Sequence, residues 1–459
     1  MTKSRVGAEA MLIDRSLLAS RHEEELRLFA RLHPKSASLG GDARDVLLSG
    51  VPMPWMARWP GAFPLFVDTA HGARFTDVDG LEYVDFCLGD TGAMTGHGLT
   101  VVADALHGQA TRGITTMLPS DDSVWVAAEL ARRFGLPKWQ FAMTATDANR
   151  FVLRFARALT GRHKIAVMDW CYHGTVDETL AVLDEDGRVV PRPGAIGPAF
   201  DPATTTRVVP FNDIAALDVA LAHGDVACLL MEPALTNIGI VLPDDGYMAA
   251  VREVTRKHGV LLVIDETHTI CAGPGGCTRA WGLEPDLFVI GKPIAGGMPA
   301  AVYGMTADVA ARLEKMMSGH SVDVSGVGGT LTGNALAMAA IRATLSTNLR
   351  DVDFEVMIPL AAAWAQGVRD AYESRGLPWH VQQLGARAEY WFSPVPRNGA
   401  QAAAASDGAL DSYMHLFALN RGVLLTPFHN MALFCPAHRQ ADVDHHTKVF
   451  ADALDSLGA

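Results

Sequence analysis

Cysteine is sparse and unpatterned in this sequence: six residues in 459 (Cys87, Cys171, Cys228, Cys271, Cys277, Cys435), with no CxxC spacing and no short disulfide framework. Such scattered thiols are expected to be reduced, buried filler in a reducing compartment. Basic charge is also short, with 38 Lys+Arg against 51 Asp+Glu, a net charge of −13, and no basic block. That argues against a nucleic-acid or anionic-membrane surface and leaves a small molecule as the expected partner. No apolar run reaches the ~18 residues of a membrane span. The opening MTKSRVGAEAMLIDRSLL carries acids and lacks a sustained apolar stretch followed by a cleavage site. The expectation is a cytoplasmic protein. Neither HExxH nor GxxxxGK(S/T) occurs, and no GxGxxG follows an early strand, so the zinc-protease, P-loop and nicotinamide motifs are missing. Fixed-period repeats and low-complexity linkers are absent too.

What is present reads as an ordinary soluble enzyme: 49% hydrophobic, 19% charged, 43 Gly and 24 Pro, which excludes disorder, collagen and coiled coil. A polar helix is expected over Leu17 to Leu32, closed by His33-Pro34. Gly40 to Gly61 reads as a Pro- and Trp-rich connection too irregular for one element. Leu65 to Val84 reads as short strands around the turn Asp77-Val78-Asp79-Gly80. From about residue 120, amphipathic helices alternate with short continuous apolar runs, the signature of a parallel α/β sheet buried on both faces. The runs are KIAVMD (Lys164 to Asp169), TRVVPF (Thr206 to Phe211), ACLLMEP (Ala227 to Pro233), VLLVIDE (Val260 to Glu266) and LFVIGK (Leu287 to Lys292). A helix is expected to start on Asp244-Asp245 and end on Gly259, and an Ala-rich helix to cover 331 to 347. From about 350 the chain turns into a smaller α+β unit that ends in a helix from Asp442 to Leu457.

In open parallel sheets, ligands bind beyond the carboxyl ends of the strands. The polar residues ending apolar runs are Glu232, Asp265-Glu266 and, after Gly291, Lys292. Asp265 and Lys292 are one strand-helix-strand crossover apart, so both can enter one crevice. Two readings stand: a salt bridge at the sheet edge, or a carbonyl-reactive lysine beside a carboxylate that binds a protonated ring nitrogen. Thr144, Ala145 and Thr146 precede a helix whose free amides suit a phosphate; a plain Thr146 N-cap with Asp147 on the dipole is the alternative. Tyr172-His173 follows the first apolar run, where an aromatic ring either packs or stacks on a planar cofactor. The cluster His438, Asp442, Asp444, His445, His446 suggests a metal site only superficially, since successive helical residues do not converge and Asp442 reads as an N-cap; no metal is expected.

The ordered series Thr144-Ala145-Thr146-Asp147-Ala148, Tyr172-His173-Gly174, Glu232-Pro233, Asp265-Glu266, Gly291-Lys292, Gly329-Thr330 and Asn334 resembles the class III aminotransferases, which depend on pyridoxal phosphate. The resemblance runs from about residue 36 to 455 and is strongest to the branch of glutamate-1-semialdehyde aminomutase and β-phenylalanine aminotransferase. It implies a fold type I α/β architecture: a large, mostly parallel sheet domain with helices on both faces, and a smaller α+β domain built from the N- and C-terminal segments. The corresponding division is 1–90, 91–345 and 346–459. By resemblance, Lys292 forms the internal aldimine and moves the proton between substrate carbon and cofactor, and Asp265 pairs with the pyridine nitrogen. Tyr172, beside His173, stacks on the ring, Thr267 lies on the other face, and the amides of Ala145 and Thr146 hold the phosphate. Glu232 lies beneath the site, and Thr330 reaches the phosphate of a neighbouring subunit, which implies a homodimer.

The sequence departs from the pattern where Thr144-Ala145-Thr146-Asp147 replaces Ser-Gly-Thr-Glu, where Thr267 and then His268 follow the acid pair in place of Val, and where ICAGPGGCTRAWG replaces an Arg-containing loop. Arg44 falls where the branch carries an arginine for the substrate carboxylate, or is a plain surface arginine. Trp55, Met56, Trp59 and Met94 lie in segments that line the family's pocket, so a bulky aromatic or apolar substituent is expected. The functional expectation is a transaminase moving an amino group between an amine or amino acid and a ketone or keto acid; the alternative is an aminomutase or racemase acting within one molecule. A non-enzymatic binding protein would have lost Lys292 or Asp265, and both are present.

Overall fold

A computed structural model describes residues 13–318, 326–426 and 428–458. The stretch 1–12, which opens the sequence expected to lack a leader, lies outside the described residues. The centre is a seven-stranded sheet. Its strands in chain order are β1 (Lys138–Ala142), β2 (Lys164–Met168), β3 (Thr206–Val209), β4 (Val226–Met231), β5 (Leu261–Asp265), β6 (Leu287–Ile290) and β7 (Ala301–Met305). They lie side by side as β1-β7-β6-β5-β4-β2-β3. Pairing is parallel except that β7 runs antiparallel to both β6 and β1. Every residue of β4, β5 and β6 is buried, which is why these strands are continuous apolar runs rather than alternating ones.

Two strands were not legible as strands. β1 lies at the sheet edge with alternating exposure, and β7, AVYGM, is fully buried but contains Ala and Gly where β-branched residues would mark a strand.

The N-terminal helix spans Arg15–Leu32, with Asp14 capping the amides of Ser16 and Leu17. The Pro34 that ends it also starts the next helix, Pro34–Val46, at the position where a missing N–H is harmless. This corrects the irregular reading of 40–61 over 40–46; beyond it the chain makes only short turns at Leu48–Gly50 and Pro54–Arg58, so that part is irregular as expected. Gly40-Gly41 is not a breaker; a Cβ at Gly40 would stand 3.5 Å from Phe63 Cβ, so glycine lets the 61–66 chain pack on the helix. Three further starts are corrected. The helix read from Asp244 begins at Tyr247 with Gly246 in the left-handed region. The Ala-rich helix is Ala335–Thr347, capped by Asn334. The last helix is Gln440–Ser456; Arg439 is its N-cap residue and Asp442 sits three residues in, accepting from the Arg439 amide. Asp442 also pairs with Arg74, His438 Nδ1 accepts from the Cys435 amide, and His445 bonds the Arg421 carbonyl, so these side chains go to separate partners.

The chain ends meet in a small sheet. Val67–His71, Arg74–Asp77 and Glu82–Asp85 form an antiparallel meander, and Val423–Leu424 adds in parallel to Glu82–Asp85. His380–Leu384, Arg387–Trp391 and Met431–Leu433 form another, packed under the Asp351–Glu373 helix.

Candidate active site

The carboxyl ends of β2, β4, β5 and β6 open into one cavity of about 990 Å³. Lys292, Asp265, Thr267, Tyr172, His173 and Glu232 all line it, together with Ala145 and Thr146. The expected groups therefore meet in one crevice.

Asp265 ends β5 and is 3% exposed. Its Oδ2 accepts from His173 Nδ1 at 2.9 Å and from Asn149 Nδ2 at 2.9 Å, and its Oδ1 accepts from the Thr267 amide at 3.0 Å. Burial alone would raise its pKa, but these donors, His173 foremost, bring it down to about 2. A buried carboxylate locked as the anion suits a cationic ring N–H. Asn149 was missed from sequence; its signal is a lone amide on the apolar face Ala148, Phe151, Val152 of its helix. The next residue, Glu266, faces the other way. It accepts from Thr269 Oγ1, Thr278 Oγ1 and the amides of Cys277 and Thr278, which pins the following loop. Glu232, beyond β4, accepts from Thr236 Oγ1, and burial pushes its pKa up to about 7.

The phosphate-sized cradle is at the start of the Ala145–Thr160 helix. The cap is Thr144 rather than Thr146: Thr144 Oγ1 accepts from the Asp147 amide at 3.1 Å. The amides of Ala145 and Thr146, in the first turn, have no acceptor within the helix. Thr146 Oγ1 instead accepts from the Thr175 amide at 3.1 Å, tying down the loop after Tyr172-His173. Two glycines make the approach possible. A Cβ at Gly174 (φ +80°) would lie 2.1 Å from Thr146 Oγ1, and a Cβ at Gly291 would lie 3.0 Å from Ala145 Cβ. The close approach of three backbone segments to free amides fits a phosphate.

Lys292 does not bond Asp265, which removes the plain acid-lysine salt bridge. Its Nζ donates to Asp90 Oδ2 at 2.9 Å and approaches His268 Nε2 to 2.5 Å. Lys292 is held at φ +49° between Gly291 and Pro293, a left-handed conformation of the kind that marks functional backbone. Asp90 was also missed. It is delivered by Leu88, Gly89, Asp90 and Thr91, all at positive φ, a turn that no sequence pattern announces.

The outer cavity is apolar. Trp55, Met56, Trp59, Phe63, Phe66 and Phe428 line it, with the Trp55 ring 5.5 Å from Tyr172 and 5.7 Å from Phe428. Three expected residues are elsewhere. Met94 is fully buried in the core, because the turn that presents Asp90 directs it inward. Arg44 is exposed on the Pro34–Val46 helix, outside the lining residues, with its stem against Gly50. Thr330 lines a separate cavity of about 420 Å³ beside Asp147, Arg150 and Arg154.

Comparisons with known proteins identify the family and the fold. The family model for class-III aminotransferases matches residues 55–454. Glutamate-1-semialdehyde 2,1-aminomutase of Sorangium cellulosum is 34% identical over 428 residues, covering 92% of this chain and 96% of its own. A glutamate-1-semialdehyde aminomutase structure from Pseudomonas aeruginosa is similar with a TM-score of 0.95 at 52% identity, over 97% of this chain and 99% of the other; a variant of it is known in complex with PMP. The β-phenylalanine aminotransferase of Variovorax paradoxus shares the fold, with a TM-score of 0.85 at 23% identity over 96% and 98%.

Proposed function

Because this chain belongs to the class-III aminotransferases, enzymes that use pyridoxal phosphate, we propose that it moves an amino group between carbon atoms at Lys292 and does so within one molecule, as an aminomutase. The observation that carries amino-group chemistry is the placement of Lys292 and an anionic, thrice-bonded Asp265 in one cavity beside two free helix amides. The intramolecular form is supported by the aminomutase relatives.

When bound, the cofactor supplies an electron sink for the pair left as a C–H bond breaks. The amides of Ala145 and Thr146 would hold its phosphate, and Asp265 would hold its ring nitrogen protonated. Tyr172 and Thr267 would face its ring. Lys292 would hold the cofactor and, as the free amine, could take up and return a proton at the substrate carbon.

Transamination between two molecules is the second reading, favoured by the apolar mouth at Trp55, Trp59, Phe63 and Phe428, which suits a bulkier side chain than a semialdehyde carries. We also propose a homodimer in which Thr330 completes the neighbour's phosphate site. Support comes from its position outside its own main cavity, and from Ile114, Met117, Leu118 and Leu331, apolar residues exposed by 47%, 73%, 73% and 54%. The division 1–90, 91–345, 346–459 and a cytoplasmic setting belong to the same proposal. The six cysteines are buried and unpaired, and no described helix is long and apolar enough to cross a membrane.

The test is the need for an acceptor. The loaded enzyme is given glutamate-1-semialdehyde alone, and the product is analysed for the isomer with its amino group moved from carbon 2 to carbon 1. Steady turnover without a keto acid supports the aminomutase reading; turnover only with an added keto acid contradicts it.

A further inference from the structure

We propose that His268 is the proton acceptor that frees Lys292 to capture the cofactor, with Thr91 fixing its tautomer. This rests on the assignment of Lys292 above but concerns a different residue, one with no role in the expected set. A lysine attacks a carbonyl only as the neutral amine. In the structure Lys292 Nζ has two side-chain partners, Asp90 Oδ2 at 2.9 Å and His268 Nε2 at 2.5 Å, so its proton leaves to one of them or to water.

Asp90 is the poorer acceptor. Burial would raise its pKa, but the Lys292 ammonium beside it holds it well below the carboxylate range. His268 offers a lone pair. Its Nδ1 is 3.0 Å from Thr91 Oγ1. With Nδ1–H donated to that fully buried hydroxyl, Nε2 is left bare toward the ammonium. The three groups therefore stand in line, Thr91, His268, Lys292.

The charges facing His268 make the transfer conditional. Burial and then Lys292 push its pKa well below the usual imidazole value, Asp90 opposes them, and Arg387 and His429 add smaller repulsions. While Lys292 is an ammonium, His268 stays neutral. As the proton passes from Nζ to Nε2, one N–H bond breaks and one forms, and the largest repulsion disappears. The imidazolium then faces Asp90, an anion already in place. The left-handed backbone at Asp90 and Thr91 (φ +53° and +81°) supplies both the counter-charge and the tautomer lock from adjacent positions.

The experiment follows covalent capture of pyridoxal phosphate by the full chain freed of cofactor. Samples are quenched with borohydride and the labelled lysine is quantified by mass spectrometry, so turnover is not the readout. His268→Gln keeps an acceptor for Lys292 but cannot take up its proton. Its capture rate at pH 7 is expected to fall about 100-fold, and to recover in proportion to added imidazole, a response a merely structural role would not give. Thr91→Val retains His268 and is expected to slow capture roughly tenfold. If His268→Gln misfolds, Thr91→Val decides. Capture by folded His268→Gln as fast as wild type, or slow capture indifferent to imidazole, overturns the proposal while leaving Lys292 in place. Covalent capture by Lys292→Ala would instead overturn the assignment on which it rests.

Discussion

His173 Nδ1 donates to Asp265 Oδ2 across 2.9 Å in a pocket where both side chains are almost wholly buried. The bond joins the loop after β2 to the end of β5, and Asn149 Nδ2, which reaches both Asp265 Oδ2 and the His173 carbonyl, closes the triangle. The acid is thus oriented by two residues that need not touch the cofactor ring nitrogen themselves.

His173→Phe keeps the ring and removes the donor. Burial then dominates at Asp265, its pKa rises, and a fraction of the carboxyl turns neutral. A hydrogen bond to a buried charge is worth about 1.5–3 kcal/mol, so the Kd for pyridoxal phosphate is expected to rise about 10- to 100-fold. Equilibrium dialysis measures it, and an unchanged Kd would show that Asp265 holds its charge without His173.

Glu232 gives a pH dependence. Its carboxyl is pushed from the usual 4.5 up to about 7 by burial, while His173 and Thr236 oppose the rise. Between these values the folded chain holds a proton that the unfolded chain has released, so the contribution is present at low pH and lost as pH rises through 7. Glu232→Gln removes the titration. The variant is expected to melt close to wild type at pH 5 and to be more stable at pH 8 by up to about 3 kcal/mol. A difference in melting temperature that stays constant over that range would contradict a raised Glu232.

Gly174→Ala tests the cradle. The new Cβ would stand 2.1 Å from Thr146 Oγ1 at a backbone φ of +80°, so the loop must withdraw from the helix terminus. Gly187 has a similar φ of +76° and nothing within 4 Å of the added carbon. Both substitutions carry a backbone cost of about 1 kcal/mol. Only Gly174→Ala is expected to weaken cofactor binding, by tenfold or more on the same dialysis assay. Equal effects at the two sites would mean that the contact with Thr146 is dispensable.

Lys292 and Asp265 were legible in the sequence because each follows a continuous apolar run, and a strand buried on both faces has nowhere to put a polar residue except its carboxyl end. The amides of Ala145 and Thr146 were legible for a related reason, small residues opening an amphipathic helix. Asn149 and Asp90 were not. Asn149 gains its meaning only when its helix packs against β4 and β6, the strands that flank β5, and Asp90 only through four successive left-handed residues. Met94 was misplaced by the same turn. The helix over 34–46 was hidden because Gly40-Gly41 reads locally as a break, while its glycine serves contact with Phe63.

Arg44 is where sequence and structure part most clearly. As it stands, exposed and outside the cavity lining, Arg44→Ala is expected to change kcat/KM by less than about twofold for substrates with or without a carboxylate, as for other surface substitutions. A selective loss for carboxylates would show that the arginine turns inward when substrate binds.

The central claim is that Lys292 holds the cofactor. Pyridoxal phosphate is added to the purified chain, the adduct is reduced with borohydride, and the digested protein is mapped by mass spectrometry. The account requires one phosphopyridoxyl group per chain on the peptide bearing Lys292, and none in Lys292→Ala. A label spread over other lysines, or no label on Lys292, would contradict it.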